Sequence, residues 1–282
     1  MNYGPLAPPP SHSEVLYDFL GHFGLDPKSP PRTLLADVSR AFSRIPYENL
    51  TKIIRNQNEK SAERARRWPL EVVSDHISLG AGGTCFSLTA TLLHILRALH
   101  WRAEPILADR RYGPNTHCAV IVWIGGTAHL LDPGFLIVRP IPLDGQKEMR
   151  INTSFNEVVL TRDESGEKLN LCTLQQGNRT HRLTFKASPA DPGEFLQAWD
   201  ESFDWDMMRY PLLTRVRGER QIYLQGRSLQ VRSMESVKKI EADPAELPIL
   251  ITREFGVSSE IAVAALEILR RKGETRASAP AP

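Results

Sequence analysis

Cys85, His117 and Asp132 are the residues of this chain whose types combine into one chemistry. An ionised thiol is a strong nucleophile, and an imidazole steered by a carboxylate is the base that ionises it. Cys85 follows two glycines in Gly82-Gly83-Thr84-Cys85-Phe86-Ser87-Leu88-Thr89. A helical pattern starts at once. Leu88, Leu92, Ile95, Leu96 and Leu99 recur at steps of three and four residues and mark one buried helix face. Cys85 is therefore expected at a helix N-terminus, where unpaired N–H groups favour a thiolate over a thiol. The glycines permit a sharp turn and close approach of a ligand. The alternative for this stretch alone is a buried, inert cysteine at the start of a core helix.

His117 and Asp132 fall on the clearest local structure in the chain. Residues 116–124 and Thr127–Leu131 alternate as strands do, and Gly125-Gly126 between them is a two-residue hairpin signal. A two-residue turn pairs Ile124 with Thr127 and, counting outward, Ala119 with Asp132. Opposite partners share a face, so His117 lies on the Asp132 side as its diagonal neighbour. Diagonal neighbours are roughly 7–8 Å apart at the backbone, within reach of long side chains. The same parity puts His129 and Cys118 on the other face, and a bulge would swap the two sets. A carboxylate beside His117 would hold one tautomer and stabilise the imidazolium. Alternatively the two form a purely structural pair.

The elements that must position these groups follow from the rest of the pattern. The chain has 282 residues, room for two or three lobes around a sizeable core. The net charge of +2 carries no general pull toward nucleic acid or an anionic membrane. No apolar run is long enough to span a bilayer, and the polar, proline-rich start does not read as a secretory signal. Three cysteines without Cys-x-x-Cys spacing argue against a disulfide framework and a structural zinc site. A reducing, cytoplasmic setting without a metal is the expectation.

Residues 1–13 and 277–282 are rich in Pro, Ala and Ser and are expected to be mobile. Helices are expected over Glu14–Phe23, over 33–42 with Leu34, Leu35, Val38 and Phe42 on one side, and over Pro69–Leu79 with Leu70, Val73 and Ile77 in phase. The charged run 55–67 reads as a solvated surface helix or loop. After Trp101 the period becomes alternating. Residues 103–107 read as a strand, 109–115 as a loop, and 141–185 as further strands of a small antiparallel barrel or sandwich. A helix over 194–203 carries Phe195, Trp199 and Phe203 as core. Two short strands flank Gly226, and a closing helix over 258–270 has Ser258 or Ser259 as its N-cap.

The motifs, in their order along the chain, resemble the arylamine N-acetyltransferase family, whose fold is related to papain and transglutaminases. Ile45-Pro46-Tyr47-Glu48-Asn49-Leu50 is similar to that family's Ile-Pro-Phe-Glu-Asn-Leu, and Gly82-Gly83-Thr84-Cys85-Phe86 to its Arg-Gly-Gly-x-Cys-Phe. Thr116-His117 and Asp132-Pro133-Gly134-Phe135 look like the segments that carry its histidine and aspartate. Residues 221–229 and Phe255-Gly256-Val257 are similar to patterns in its C-terminal lobe. The resemblance implies a divergent member with an α+β, papain-like cysteine fold in three lobes: a helical bundle over 1–102, an antiparallel β-barrel over 103–205 and an α/β lid over 206–282.

It further implies an acyl-CoA-dependent N-acyltransferase that uses acetyl-CoA as co-substrate and a small aromatic amine or hydrazine as acceptor. Nucleic acid, a membrane and a metal have no part in this, and the oligomeric state is left open. Cys85 would be the nucleophile, His117 the proton acceptor and donor, and Asp132 the orienting group. Backbone N–H groups near Cys85 would stabilise the oxyanion. Thr116 and Phe135 would line the substrate cleft, and Gly113 and Pro114 would approach CoA. Ala81 replaces an arginine that pairs with the family's glutamate, so Glu48 is expected to be solvated or met by an arginine from 63–67. Ser87, Thr89 and Pro133 are further departures, which leave arylamine specificity open. The same triad would also serve a macrolactam-forming amide synthase, a papain- or transglutaminase-like amidase, or a fold kept as a binding scaffold.

Overall fold

Residues 4–277, apart from Leu136, Val138, Asp144 and Gln176, are described by the structure, a computed structural model. Six helices fill the first hundred residues: α1 (Glu14–Phe23), α2 (Pro31–Phe42), α3 (Leu50–Asn58), α4 (Ala62–Ala65), α5 (Pro69–Leu79) and α6 (Cys85–Ala98). Local chemistry sets their ends. Ser13 Oγ accepts from the Leu16 N–H to start α1, and Gly24, at φ 65°, stops it. Pro31 opens α2 at a position that needs no N–H.

Helix α6 is the centre of this lobe. Every residue from Cys85 to Leu93 is buried, so the helix is enclosed on all sides rather than on the one face its leucine spacing predicts. Small residues at Ser87, Thr89, Ala90 and Thr91 let neighbours close in on the remaining sides. The predicted face of α5 is corrected. Leu70 and Ile77 are exposed, and Val72 and Val73 are the buried pair, because α1 and α6 pack on that side. The start of the chain is also ordered where it is described: Gly4–Leu6 is a 3₁₀ turn, Leu6 is buried, and Arg97 donates to its carbonyl at 3.3 Å. The mobile tail expected from 277 lies, beyond Ala277, outside the described residues.

An eight-stranded sheet follows: β2 (Ala103–Arg110), β3 (Gly113–Ile124), β4 (Thr127–Leu131), β5 (Ile141–Pro142), β6 (Glu148–Asn152), β7 (Glu157–Arg162), β8 (Lys168–Gln175) and β9 (Asn178–Lys186). The short β1 (Tyr47–Glu48) belongs to a different sheet, described below. The order β5-β4-β3-β2-β9-β8-β7-β6, with every pairing antiparallel, curls the sheet into a nearly closed barrel. Inside it Ile106, Ala119, Ile121, Leu160, Leu171 and Phe185 form a core of their own. The loop expected over 109–115 shrinks to the turn Arg111-Tyr112, because β2 runs on to Arg110 through an irregularity after Ala108. The Gly125-Gly126 hairpin has the expected register, with Ile124 opposite Thr127 and Val120 opposite Leu131.

Helix α7 (Pro192–Glu201) is capped by Asp191 and buries Phe195 and Trp199, both packed against Phe86 of α6. A second sheet holds β10 (Leu212–Arg217), β11 (Arg220–Gln225), β12 (Ser228–Arg232) and β13 (Val237–Glu241). Its edge strand is β1, with Tyr47 opposite Thr214 and Glu48 opposite Leu213. The segment just before α3 is thereby stitched to the C-terminal sheet. Helices α8 (Leu247–Phe255) and α9 (Ser259–Ala277) complete the chain, and α9 packs on α3.

Candidate active site

Cys85 is the first helical residue of α6, held there by a turn that admits only glycine. Glu48 donates its N–H to the Gly83 carbonyl at 2.9 Å, and Gly83 donates to Pro46 O at 3.3 Å. A Cβ on Gly82 would overlap the Pro46 carbonyl, and one on Gly83 would overlap Ser87 Oγ. Two backbones therefore meet at van der Waals limit immediately before the thiol.

Glu48 locks the same turn from beneath. It is fully buried, and its carboxylate accepts from Thr51 N at 2.9 Å, Thr51 Oγ1 at 2.6 Å and Gly82 N at 3.3 Å. Arg67 Nη1 stands 3.8 Å from Glu48 Oε1 and donates to Thr51 Oγ1 and the Gly82 carbonyl. Its Nη2 pairs with Asp75 at 2.6 Å. Glu48 is thus not solvated. The arginine missing at Ala81 is replaced by one from the charged run, whose last two members, Arg66 and Arg67, are buried rather than solvated.

His117 and Asp132 are both fully buried, and Nε2 meets Oδ2 at 2.8 Å. The other carboxylate oxygen of Asp132 accepts from Phe135 N at 2.8 Å, which fixes the acid. Arg110 Nη2 lies 2.9 Å from His117 Nδ1. A guanidinium can only donate, so Nδ1 is the acceptor, and the ring is the neutral tautomer with its hydrogen on Nε2, pointed at Asp132. Gly134 marks where the ring meets the thiol: a Cβ there would stand 2.8 Å from Cys85 Cβ and 2.9 Å from His117 Cε1.

The electrostatics favour ionisation of Cys85. Its thiol is held well below the ordinary cysteine value by a hydrogen bond from Cys118, against the opposing effect of burial, with further help from His117 and Arg110. Cys118 moves the opposite way: burial pushes it up, and so does the thiolate it faces. Burial lowers His117, but Asp132 more than offsets this and the net shift is upward.

Cys118 and Arg110 are groups of this site that sequence reasoning missed. Strand parity correctly separates Cys118 from His117. Cys118 packs with Val120, Val122 and Cys85 under α6, whereas Ala119 and Ile121 face the barrel interior. The N-terminus of α6 stands at the barrel rim, so both faces of β3 reach Cys85 there. The Thr89 hydroxyl, one turn along α6, lies 3.4 Å from the Cys118 sulfur. Of the other expected residues, Thr116 is buried, with its hydroxyl donating to Gly113 O and accepting from Arg110 N. Phe135 is half-buried beside the barrel core. Gly113 and the exposed Pro114 begin β3, and His129 Nδ1 meets Thr127 O, away from the triad.

The sequence pattern of the N-acetyltransferase family matches residues 32–263. No curated protein matches the chain. Among solved structures, the arylamine N-acetyltransferase of Mycobacterium abscessus is similar over 90% of this chain and 94% of its own, with a TM-score of 0.77 at 20% identity. That of Mycobacterium marinum, solved with CoA, has a TM-score of 0.75 at 17% identity, over 91% of this chain and 98% of its own. The Bacillus cereus arylamine N-acetyltransferase with a Cys-His-Glu catalytic triad has a TM-score of 0.70 at 17% identity, over 88% of this chain and 100% of its own. At these identities the likeness is one of fold.

Proposed function

The chain belongs to the N-acetyltransferase family, and on that premise we propose that it transfers an acetyl group from acetyl-CoA to an aromatic amine or hydrazine through an acyl-cysteine on Cys85. The observation that carries the proposal is the meeting of an acidified thiol at a helix N-terminus with the His117–Asp132 pair.

In the first half-reaction Cys85 gives its proton to His117 Nδ1, and the thiolate attacks the thioester carbonyl. Backbone N–H groups at the start of α6 face the developing oxyanion. The carbon–sulfur bond to CoA breaks, and CoA leaves with the proton from His117. In the second half-reaction the amine attacks the acyl-cysteine, His117 takes the amine proton, and Cys85 is regenerated. Asp132 keeps Nε2–H engaged throughout and stabilises the imidazolium that forms twice per turnover. Contacts of Thr116 and Phe135 with the acceptor, and of Gly113 and Pro114 with CoA, belong to the same proposal. So do the three-lobe division at 102/103 and 205/206 and a reducing, cytoplasmic setting, in which the three free cysteines keep their thiols. Among the described residues no helix is long and apolar enough to cross a membrane.

Intact-mass measurement after mixing with acetyl-CoA tests the reading. One acetyl group should appear on the peptide holding Cys85, disappear when an arylamine is added, and be absent in Cys85→Ala. An unmodified Cys85 after exposure to acetyl-CoA, longer acyl-CoAs and simple thioesters would overturn it.

A further inference from the structure

Arg110 ends β2 beside the triad, and among the described residues no carboxylate pairs with it. Nη2 donates to His117 Nδ1 at 2.9 Å and Nη1 to the Tyr112 hydroxyl at 2.9 Å. Nε is buried and has no hydrogen-bond partner. Among the described residues no carboxylate lies within ion-pair distance of this guanidinium. The groups that act on its charge are the Tyr112 and Tyr47 phenols and the Cys85 sulfur, whose negative charge is lost while it carries an acyl group. A cation withdrawn from water is costly unless an anion pairs with it. Arg110 is half-buried; Arg66 and Arg67, which are buried, meet that requirement with Asp200 and with Glu48 and Asp75. Arg110 has no carboxylate partner among the described residues, only the Cys85 sulfur facing it, and its planar fork of donors matches a carboxylate.

We propose that Arg110 is a specificity-determining residue that binds a carboxylate carried by the substrate. The proposal rests on the acyl-transfer reading of Cys85 and deepens it. The same contact governs the base. Asp132 holds His117 Nε2, so a proton from Cys85 or from an amine must enter at Nδ1. In the free protein that lone pair is covered by Arg110 Nη2. A carboxylate that draws the guanidinium off the ring uncovers Nδ1, so recognition of the anion and release of the base are one movement. The carboxylate has two possible carriers, the acyl group of the thioester or the amine acceptor.

The first arm of the test does not depend on acyl transfer. Alkylation rates of Cys85 are measured with iodoacetate and with its neutral isostere iodoacetamide, by peptide mass, in the wild type, Arg110→Gln and Arg110→Lys. The ratio of the two rates is taken within one sample, so a partly unfolded variant does not distort it. The iodoacetate/iodoacetamide ratio should fall about tenfold or more in Arg110→Gln and less in Arg110→Lys, as expected for loss of a charge-assisted pair. A ratio unchanged in Arg110→Gln would overturn the proposal. The second arm compares succinyl-CoA with butyryl-CoA as donors and, with a fixed donor, 4-aminobenzoate with 4-aminobenzamide as acceptors. A preference for the anionic member of one pair, lost in Arg110→Gln, supports the proposal and identifies the carrier; no preference in either pair counts against it. If no thioester acylates Cys85, the acyl-transfer reading fails, and the alkylation ratio alone decides the role of Arg110.

Discussion

Arg67 Nη1 stands 3.8 Å from the fully buried Oε1 of Glu48, and the two residues come from opposite sides of α3 in the chain. The pair carries the turn that presents Cys85, because Glu48 accepts from Gly82 N while Arg67 donates to Gly82 O. Removing Arg67 leaves the Glu48 carboxylate buried without its cation. Arg67→Met should therefore destabilise the fold by about 3–5 kcal/mol, read from the shift of a urea unfolding midpoint. A loss below about 1 kcal/mol would mean that Glu48 is hydrated in solution.

Gly134→Ala tests how tightly the thiol and the ring are set. The backbone at Gly134 is not in the left-handed region, so alanine is accepted there conformationally. Its Cβ would collide with Cys85 Cβ and His117 Cε1, at 2.8 and 2.9 Å. Relief requires the nucleophile and base to separate, and a misplacement of about 1 Å costs on the order of 100-fold in rate. The acetyl-transfer kcat/KM should fall by that order, while far-UV circular dichroism stays that of the wild type.

Cys118→Ala removes the donor that contributes most to the acidity of Cys85. The midpoint of the pH profile for iodoacetamide alkylation of Cys85 should move to higher pH. The small cavity should cost about 1 kcal/mol of stability. An unmoved midpoint would show that His117 and Arg110 suffice to ionise the thiol.

Lys52 gives a pH signature in stability. Burial lowers it to about 7, while its Nζ donates to Ser202 O at 2.8 Å and sits 4.3 Å from the centre of the Phe203 ring. Between about pH 7 and 10.5 the unfolded chain holds this proton and the folded one does not. Stability from this group therefore rises with pH across that window. The difference between wild type and Lys52→Met should change by roughly 2–4 kcal/mol over it, less than the full shift implies because the Phe203 face favours the ammonium. Denaturant unfolding at several pH values measures it, and parallel curves would place the Lys52 amine in water.

Local features read well from the sequence. Helix α1 has the expected limits Glu14–Phe23 and α5 the expected limits Pro69–Leu79, because caps and proline act within one turn. The hairpin register, and with it the diagonal approach of His117 to Asp132, follows from two glycines and a period of two. Faces were harder. The buried side of α5 is set by where α1 and α6 lie, which periodicity within α5 does not encode.

The sequence by itself determined that a cysteine opens a helix and that a histidine and an aspartate share one face of a hairpin. Both are matters of backbone hydrogen bonding between near neighbours. Only the tertiary structure decided that the α6 N-terminus reaches the barrel rim, so that His117 and Cys118, on opposite faces of β3, converge on one sulfur. It likewise decided that Arg67 supports Glu48 and that Arg110 lies on the His117 ring. Those contacts join segments far apart in the chain. They are set by how cores pack and where buried charges find partners, which no local pattern records.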